Sequence, residues 1–443
     1  MVGSGGRGVI TPSRAAAERV LADLRSGILL DFAIERASGT LDARDRRWLQ
    51  ELVFGTLRRR AWLDAVLEAR VRGGLERLHA GVADLLRLGT QQLLFMNSVP
   101  AYAAIAQTVE QVKAHHGEGA GKLANAVLRR VDRERESLEP TTPADPIDAL
   151  ALAHSHPRWL VARWVARWGA DRTRALLAAN NSEAYTILRP LGVVREQLEA
   201  MLDAAGVRAT EPPLAADSLA IPHGVALASL GAFQQGLCFV QDPAATMVTQ
   251  YAAIPAGAAV ADLCAAPGGK SFELAREAHL VVACDGSAQR LERIRDSVRR
   301  LDLSNVLPVV ADARHPAIAP LEAILLDAPC TGTGTFRRHP DARWRLTSGD
   351  VALMASVQRT LLRSAADVVA RGGLLIYSTC SLEQEENDEQ VEAFLAEQPT
   401  FTLEPPPVGA VPESVLDAGR LRVLPHVHGT DGAFAARFRR SVS

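Results

Sequence analysis

The sequence predicts a multidomain protein of 443 residues: an all-α helical domain over 12–136, a small α+β subdomain over 157–235 and an α/β domain over 236–443. Three observations carry this prediction. Up to about residue 136, apolar residues recur at helical spacing and no alternating strand pattern occurs. Pro140, Pro143 and Pro146, set among short polar residues, then break the pattern and leave 137–156 as a linker. From residue 236 onward, five apolar runs alternate with helical segments, which is the pattern of a largely parallel sheet with helical crossovers.

The elements follow in order. Residues 1–11 read as a flexible lead without an apolar core, so no signal peptide is expected and the protein reads as cytoplasmic. In the helical domain, Trp48, Leu49, Leu52 and Val53, then Trp62, Leu63, Val66 and Leu67, define buried faces, as does "VADLLRLGTQQLLF". The subdomain opens with a helix, "RWLVARWVARWG", followed by strand candidates "AYTILRPLG" and "SLAIPHGVALASL". Trp159, Trp164 and Trp168 have a shape suited to stacking on nucleic-acid bases, but their helical spacing with Leu160 and Val165 favours a core. The five runs of the last domain are "AAVADLC", "HLVVACD", "NVLPVVAD", "EAILLDAPC" and "GLLIYSTCS", with helices beginning near Gly269, Ser287, Asp350 and Gln384. Each run carries an acid or a cysteine at or next to its end. Ligands of open parallel sheets bind at the carboxyl ends of the strands, so Asp262, Asp285, Asp312, Asp327, Cys330 and Cys380 are expected on one rim.

Composition narrows the function. A hydrophobic share of 48% and a charged share of 23% describe a globular chain, and no apolar run approaches a membrane span. Five widely spaced cysteines without a CxxC pair indicate neither a disulfide framework nor a zinc site, so no metal is expected. Lys and Arg outnumber Asp and Glu up to residue 140 and fall short beyond it, so the helical front is the part suited to a polyanion, although an Arg-rich solvated face is the commoner cause.

The segment "VADLCAAPGGKSFELA" resembles a triphosphate loop, with Gly269, Lys270 and Ser271 in place, and Asp327 resembles the aspartate that would hold magnesium in such an enzyme. The first glycine of that loop is replaced by Cys264, and Pro267 removes one backbone N–H, so the phosphate wrap is spoiled. Asp285 lies 16 residues after Gly269, near the spacing at which a strand-end carboxylate takes ribose hydroxyls. The bland reading is a helix cap. Three successive strand-end features favour a nucleoside cofactor such as S-adenosylmethionine over a triphosphate. Cys238 and Cys284 read as core filler. Cys330, in "DAPCTGTG", and Cys380, in "YSTCSLEQEEN", flank the expected rim, where a nearby helix N-terminus would favour a nucleophilic thiolate. The residue types do not choose between the two.

Together "QDPAATMV", "DLCAAPGGK", "ACDGSAQRLERI", "LLDAPCTGTG", "RRHPDARWR", "YSTCSLEQEEN" and "LPHVHGTDGAF" resemble the ordered motifs of the RsmB/Sun family of bacterial 16S rRNA (cytosine-5)-methyltransferases. "ELVFGTLRR", "LLRLGTQQLLF" and "NAVLRRV" are similar to the NusB-like RNA-binding domain of that family. The departures are the residue before the acid in "ACDGS" and "DGAF" where an aromatic pair is usual. The resemblance implies a Rossmann-like S-adenosylmethionine-dependent methyltransferase domain that makes 5-methylcytosine in RNA, 16S rRNA foremost. It assigns Cys380 as the nucleophile and Cys330 as the helper that resolves the adduct. Asp327 is expected to polarise the base and to touch the cofactor. Cofactor contacts are expected from Cys264, Ala265, Ala266, Pro267, Gly268, Gly269 and Lys270, with Asp285 and its support Arg290 at the ribose and Asp312 at the adenine. Lys270 is expected to pair with the cofactor carboxylate or with Asp327. Beside the cysteine loop, Arg337, Arg338, Arg343, Trp344 and Arg345 read as RNA contacts. No obligate protein partner is evident. The alternatives are the same chemistry on another RNA such as tRNA, and a non-catalytic RNA-binding or ribosome assembly factor.

Overall fold

The computed structural model describes residues 10–222 and 224–442, so nearly all of the expected lead lies outside the described residues. The chain forms two compact units: residues up to Asn181 with His339–Arg345, and Ser182–Arg338 with the chain from Leu346 onward.

The first unit is helical. Its principal helices are Pro12–Arg25, Leu30–Ser38, Ala43–Arg58, Arg60–Glu68, Ala80–Phe95, Ala101–Glu134, Pro146–His154 and Arg158–Asn181. Asp42 caps Ala43–Arg58 by accepting from the Asp45 N–H, and Asp145 caps Pro146–His154 through the Ile147 and Asp148 N–H groups. Gly117 and Gly169 interrupt the two longest helices with positive φ, a conformation that glycine adopts without a Cβ clash. Leu49, Leu52, Val53, Leu63, Val66 and Leu67 are buried, as their spacing predicts. Trp164 is also buried, whereas Trp159 and Trp168 are partly exposed. No helix among the described residues is long and apolar enough to cross a membrane.

The second unit begins with strands β1 (Thr186–Pro190), β2 (Leu219–Ile221) and β3 (Cys238–Val240), which form an antiparallel sheet in the order β2-β1-β3. Helix Arg195–Ala204 supplies Leu198 and Leu202 to the core of this sheet, with Leu188, Leu219, Ile221 and Cys238. A nine-stranded sheet follows: β4 (Ala259–Asp262), β5 (Leu280–Asp285), β6 (Val306–Val310), β7 (Leu321–Asp327), β8 (Val369–Thr379), β9 (Phe401–Leu403), β10 (Leu416–Asp417), β11 (Arg420–Val423) and β12 (Ala433–Arg440). Its order is β10-β11-β12-β8-β7-β4-β5-β6, with β9 paired to β12. Strands β4 to β8 are parallel, and β12 runs antiparallel to β8. The chain leaves β4 outward through β5 and β6, then returns to β7 on the other side. Strands β4 and β7 therefore flank a topological switch point, where parallel sheets open a crevice for ligands.

Candidate active site

Both sides of that crevice carry charge. Asp262 ends β4 and is buried, and Ser271 Oγ donates to its Oδ2 at 2.7 Å. Burial pushes its carboxyl up to about 7, against that hydrogen bond. Asp327 ends β7, where Lys270 Nζ approaches at 2.6 Å and Ser378 Oγ donates at 2.7 Å. Burial works against charge on Lys270, but the Asp327 contact outweighs it and holds the ammonium above its ordinary range. Of the two partners expected for Lys270, Asp327 is the one it meets within the chain.

The two cysteine loops converge. Cys330 follows β7, Cys380 follows β8, and their sulfurs stand 3.2 Å apart. The Gly334 N–H donates to the Cys380 carbonyl at 2.9 Å, and the Gly432 N–H donates to the Gly334 carbonyl at 2.8 Å. A Cβ on Gly334 would lie 2.6 Å from the Cys380 carbonyl oxygen, so the close approach of these loops requires glycine. Beneath them, buried Glu386 accepts from Thr331 N at 2.9 Å, Gln358 Nε2 at 2.8 Å, Ser381 Oγ at 2.6 Å and Thr331 Oγ1. The two sulfurs face different charges. The contact with Cys380, then burial, then the Glu386 carboxylate push the Cys330 thiol well above its usual range. Charge on Cys380 is instead among the groups that raise Lys270.

One expectation is corrected here. The helix after Cys380 starts at Asp388 rather than near Gln384, so Cys380 does not stand at the N-terminus of that helix. Residues 381–387 turn inward because Glu386 binds the cysteine loops and Asn387 joins Thr379 Oγ1 at 2.6 Å and the Ser381 carbonyl at 2.8 Å. Cys238 and Cys284 are buried, their thiols pushed by burial to about 11 and about 12, as core positions would be.

A cleft of about 500 Å³ lies at the β4, β5 and β6 ends, lined in part by Cys264, Asp285, Arg290, Asp312 and Pro329. That size is within the range that encloses a small ligand. Asp285 is held by the Ser287 N–H at 2.8 Å, the Ala266 N–H at 3.3 Å and Arg290 at 2.9 Å. Its lone pairs are not exhausted by these contacts. Asp312 is clamped by Arg314, which pulls its carboxyl down to about 2. In the 264–270 loop, Gly268 has φ 111, and a Cβ there would meet the Phe272 ring at 2.3 Å. Burial raises the Cys264 thiol, which suits a backbone rather than a nucleophilic role. Among the described residues, no group of three or more His, Cys, Asp or Glu is placed to hold a metal ion.

The five residues expected to contact RNA separate. Arg337 and Arg338 face Asp242 and Asp431, with Arg338 at 2.6 Å and 2.8 Å from the two carboxylates, so most of their charge is spent within the chain. Arg343 corrects the expectation outright. It is fully buried in the first unit, donating to Asn181 Oδ1 at 2.7 Å and to the Asn180 carbonyl at 3.0 Å, and it presents no surface to a phosphate. Burial, and then Arg58, push its guanidinium down to about 9. Trp344 and Arg345 line a cleft of about 660 Å³ in the first unit that also holds Arg25, Arg60 and Arg87. Arg60 lies 5.5 Å from the Trp344 ring centre, a cation–π contact.

Glu386, Ser378, Asp242 and Gln358 were not singled out by the sequence. The only signal for Glu386 was its place in the acidic run after Cys380, which reads as a solvated helix.

Residues 253–439 match the family model for 16S rRNA methyltransferase RsmB/F, residues 11–133 that of the NusB family, and residues 156–228 that of an RsmF/B-like ferredoxin-like domain. The chain is 34% identical over 443 residues to the ribosomal RNA small subunit methyltransferase B of Vibrio cholerae, covering 97% of this chain and 98% of that protein. It is 37% identical over 399 residues to the Pseudomonas putida protein of the same name, covering 87% and 89%. The crystal structure of PH0851 matches with a TM-score of 0.82 at 27% identity, covering 98% of this chain and 99% of that one.

Proposed function

Because the chain belongs to the RsmB/F family of 16S rRNA methyltransferases, we propose that it methylates C5 of a cytosine in RNA, 16S rRNA foremost, through a covalent bond between Cys380 and C6. The observation that carries this reading is the pair of sulfurs 3.2 Å apart beside the Lys270–Asp327 ion pair.

C5 of cytosine is a poor nucleophile until electron density is raised. The contact with Cys380, burial and the Glu386 carboxylate favour the protonated thiol on Cys330, and Cys380 attacks C6 as the nucleophile. The C5–C6 π pair then moves onto C5. S-adenosylmethionine, when bound, supplies the electrophilic methyl group for that carbon. Asp327, fixed by Lys270 and Ser378, accepts from the exocyclic amine and orients the ring. Once Cys380 is a thioether, its charge no longer opposes ionisation of Cys330. Cys330 then releases its proton to solvent and takes the proton from C5, the C5–C6 double bond re-forms, and the Cys380 thiolate leaves.

The residues that would hold the cofactor are Asp285 with Arg290 at the ribose and Asp312 at the adenine, which line the 500 Å³ cleft together with Cys264, and the rest of the Cys264–Lys270 backbone at the methionine end. Exposure of C6 requires an unstacked base, so single-stranded or easily opened RNA is the substrate. Trp344 and Arg345, at the mixed-charge cleft of the first unit, are its contacts, with Arg337 and Arg338 shaping the loop that follows Cys330. Titration calorimetry tests the cofactor assignment: S-adenosylhomocysteine should bind and ATP should not. Tight ATP binding without S-adenosylhomocysteine binding would return the 264–270 segment to the triphosphate loops.

A further inference from the structure

Gln241 follows β3 and precedes Asp242, the N-cap of helix Pro243–Ala252. It is 5% exposed, yet neither Oε1 nor Nε2 has a hydrogen-bond partner within the chain. Among the described residues it is the one side-chain amide with both atoms buried in this way. Such a group opposes folding unless an ordered water or a ligand satisfies it.

We propose that Gln241 recognises the target base, its amide hydrogen-bonding the Watson–Crick edge of the cytosine attacked by Cys380. The inference rests on the cytosine-methylating function above. Position places the amide beside the Lys270–Asp327 pair that orients the base. The amide lies against Gly269, where a Cβ would stand 3.7 Å from Nε2, and the next residue is Lys270, paired to Asp327. Asp242 accepts from Arg338 Nη2 at 2.6 Å and from the Asp431 N–H at 3.2 Å. Asp431 leads into Gly432, which binds Gly334, which in turn binds the Cys380 carbonyl. Through its neighbour Asp242, Gln241 is thus joined to the loops that carry the cysteines. The chemistry fits as well. Cytosine presents acceptors at O2 and N3 and a donor at N4, and an amide offers both complements. Lys270 holds Asp327 at one part of the edge, and Gln241 supplies a second point of contact.

The test uses the full chain with Gln241→Leu, an apolar side chain of similar size, and Gln241→Met as a second packing solution. Both are expected to keep or raise the melting temperature, because an unpartnered buried amide is removed, and to keep S-adenosylhomocysteine affinity. Both are expected to lower kcat/KM for RNA about 10- to 100-fold, the range for losing hydrogen bonds to a substrate edge. A purely structural Gln241 would lower the melting temperature and activity together. Wild-type methylation with undiminished turnover in both variants overturns the inference alone, as does loss of S-adenosylhomocysteine binding with RNA kinetics intact. A wild-type protein that binds S-adenosylhomocysteine but forms no 5-methylcytosine overturns the function, and the inference with it.

Discussion

Cys380→Ala is expected to lower turnover at least about 10³-fold, as removal of a nucleophile does, and to abolish covalent complexes with RNA. Cys330→Ala is expected to behave differently: the complex still forms, persists, and migrates as a protein–RNA species on a denaturing gel. The difference follows from the charges around two nearly touching sulfurs. Glu386 faces Cys330, whereas charge on Cys380 interacts with the Lys270 ammonium. On the proposed route Cys380 attacks first, and Cys330 acts only after Cys380 has given up its charge. Retained turnover in Cys380→Ala, with adduct formation lost in Cys330→Ala, would exchange the two roles.

Arg343→Ala is expected to destabilise the first unit by about 3 kcal/mol, because a buried guanidinium leaves its acceptors unsatisfied when removed. Those acceptors are the Asn181 side chain and the Asn180 carbonyl, with the Ser155 carbonyl at 3.4 Å. All six tryptophans, at positions 48, 62, 159, 164, 168 and 344, belong to the first unit. Urea unfolding followed by tryptophan fluorescence therefore reads this unit selectively. A lowered midpoint supports the structural role. An unchanged midpoint with weakened RNA affinity would restore Arg343 to the RNA surface.

The core of the catalytic fold was legible because parallel strands are buried on both faces and read as apolar runs, each closed by the polar residue that reaches the rim. That is why Asp262, Asp285, Asp327, Cys330 and Cys380 were found together. The antiparallel side of the sheet was not. Strand β12, "AFAARFRR", ends in basic residues, and its burial depends on distant partners: Arg437 pairs with Glu404 and donates to the Ala252 carbonyl at 3.0 Å. Glu386 was hidden for a related reason, since nothing local distinguishes a buried carboxylate from its solvated neighbours in "EQEEN". Arg343 and Arg345 stand two residues apart and look alike in sequence. Only the packing of 339–345 into the helical unit separates the buried one from the accessible one.

Nucleoside analysis of unmodified small-subunit rRNA, after incubation with the protein and S-adenosylmethionine, tests the central claim most directly, with bisulfite sequencing to locate the product. The expected result is 5-methylcytidine at a defined position, absent without the cofactor and absent with Cys380→Ala. Methylation at N4 of cytidine, on another base, or at C5 by the Cys380→Ala protein would contradict a Cys380–C6 adduct as the route to the product.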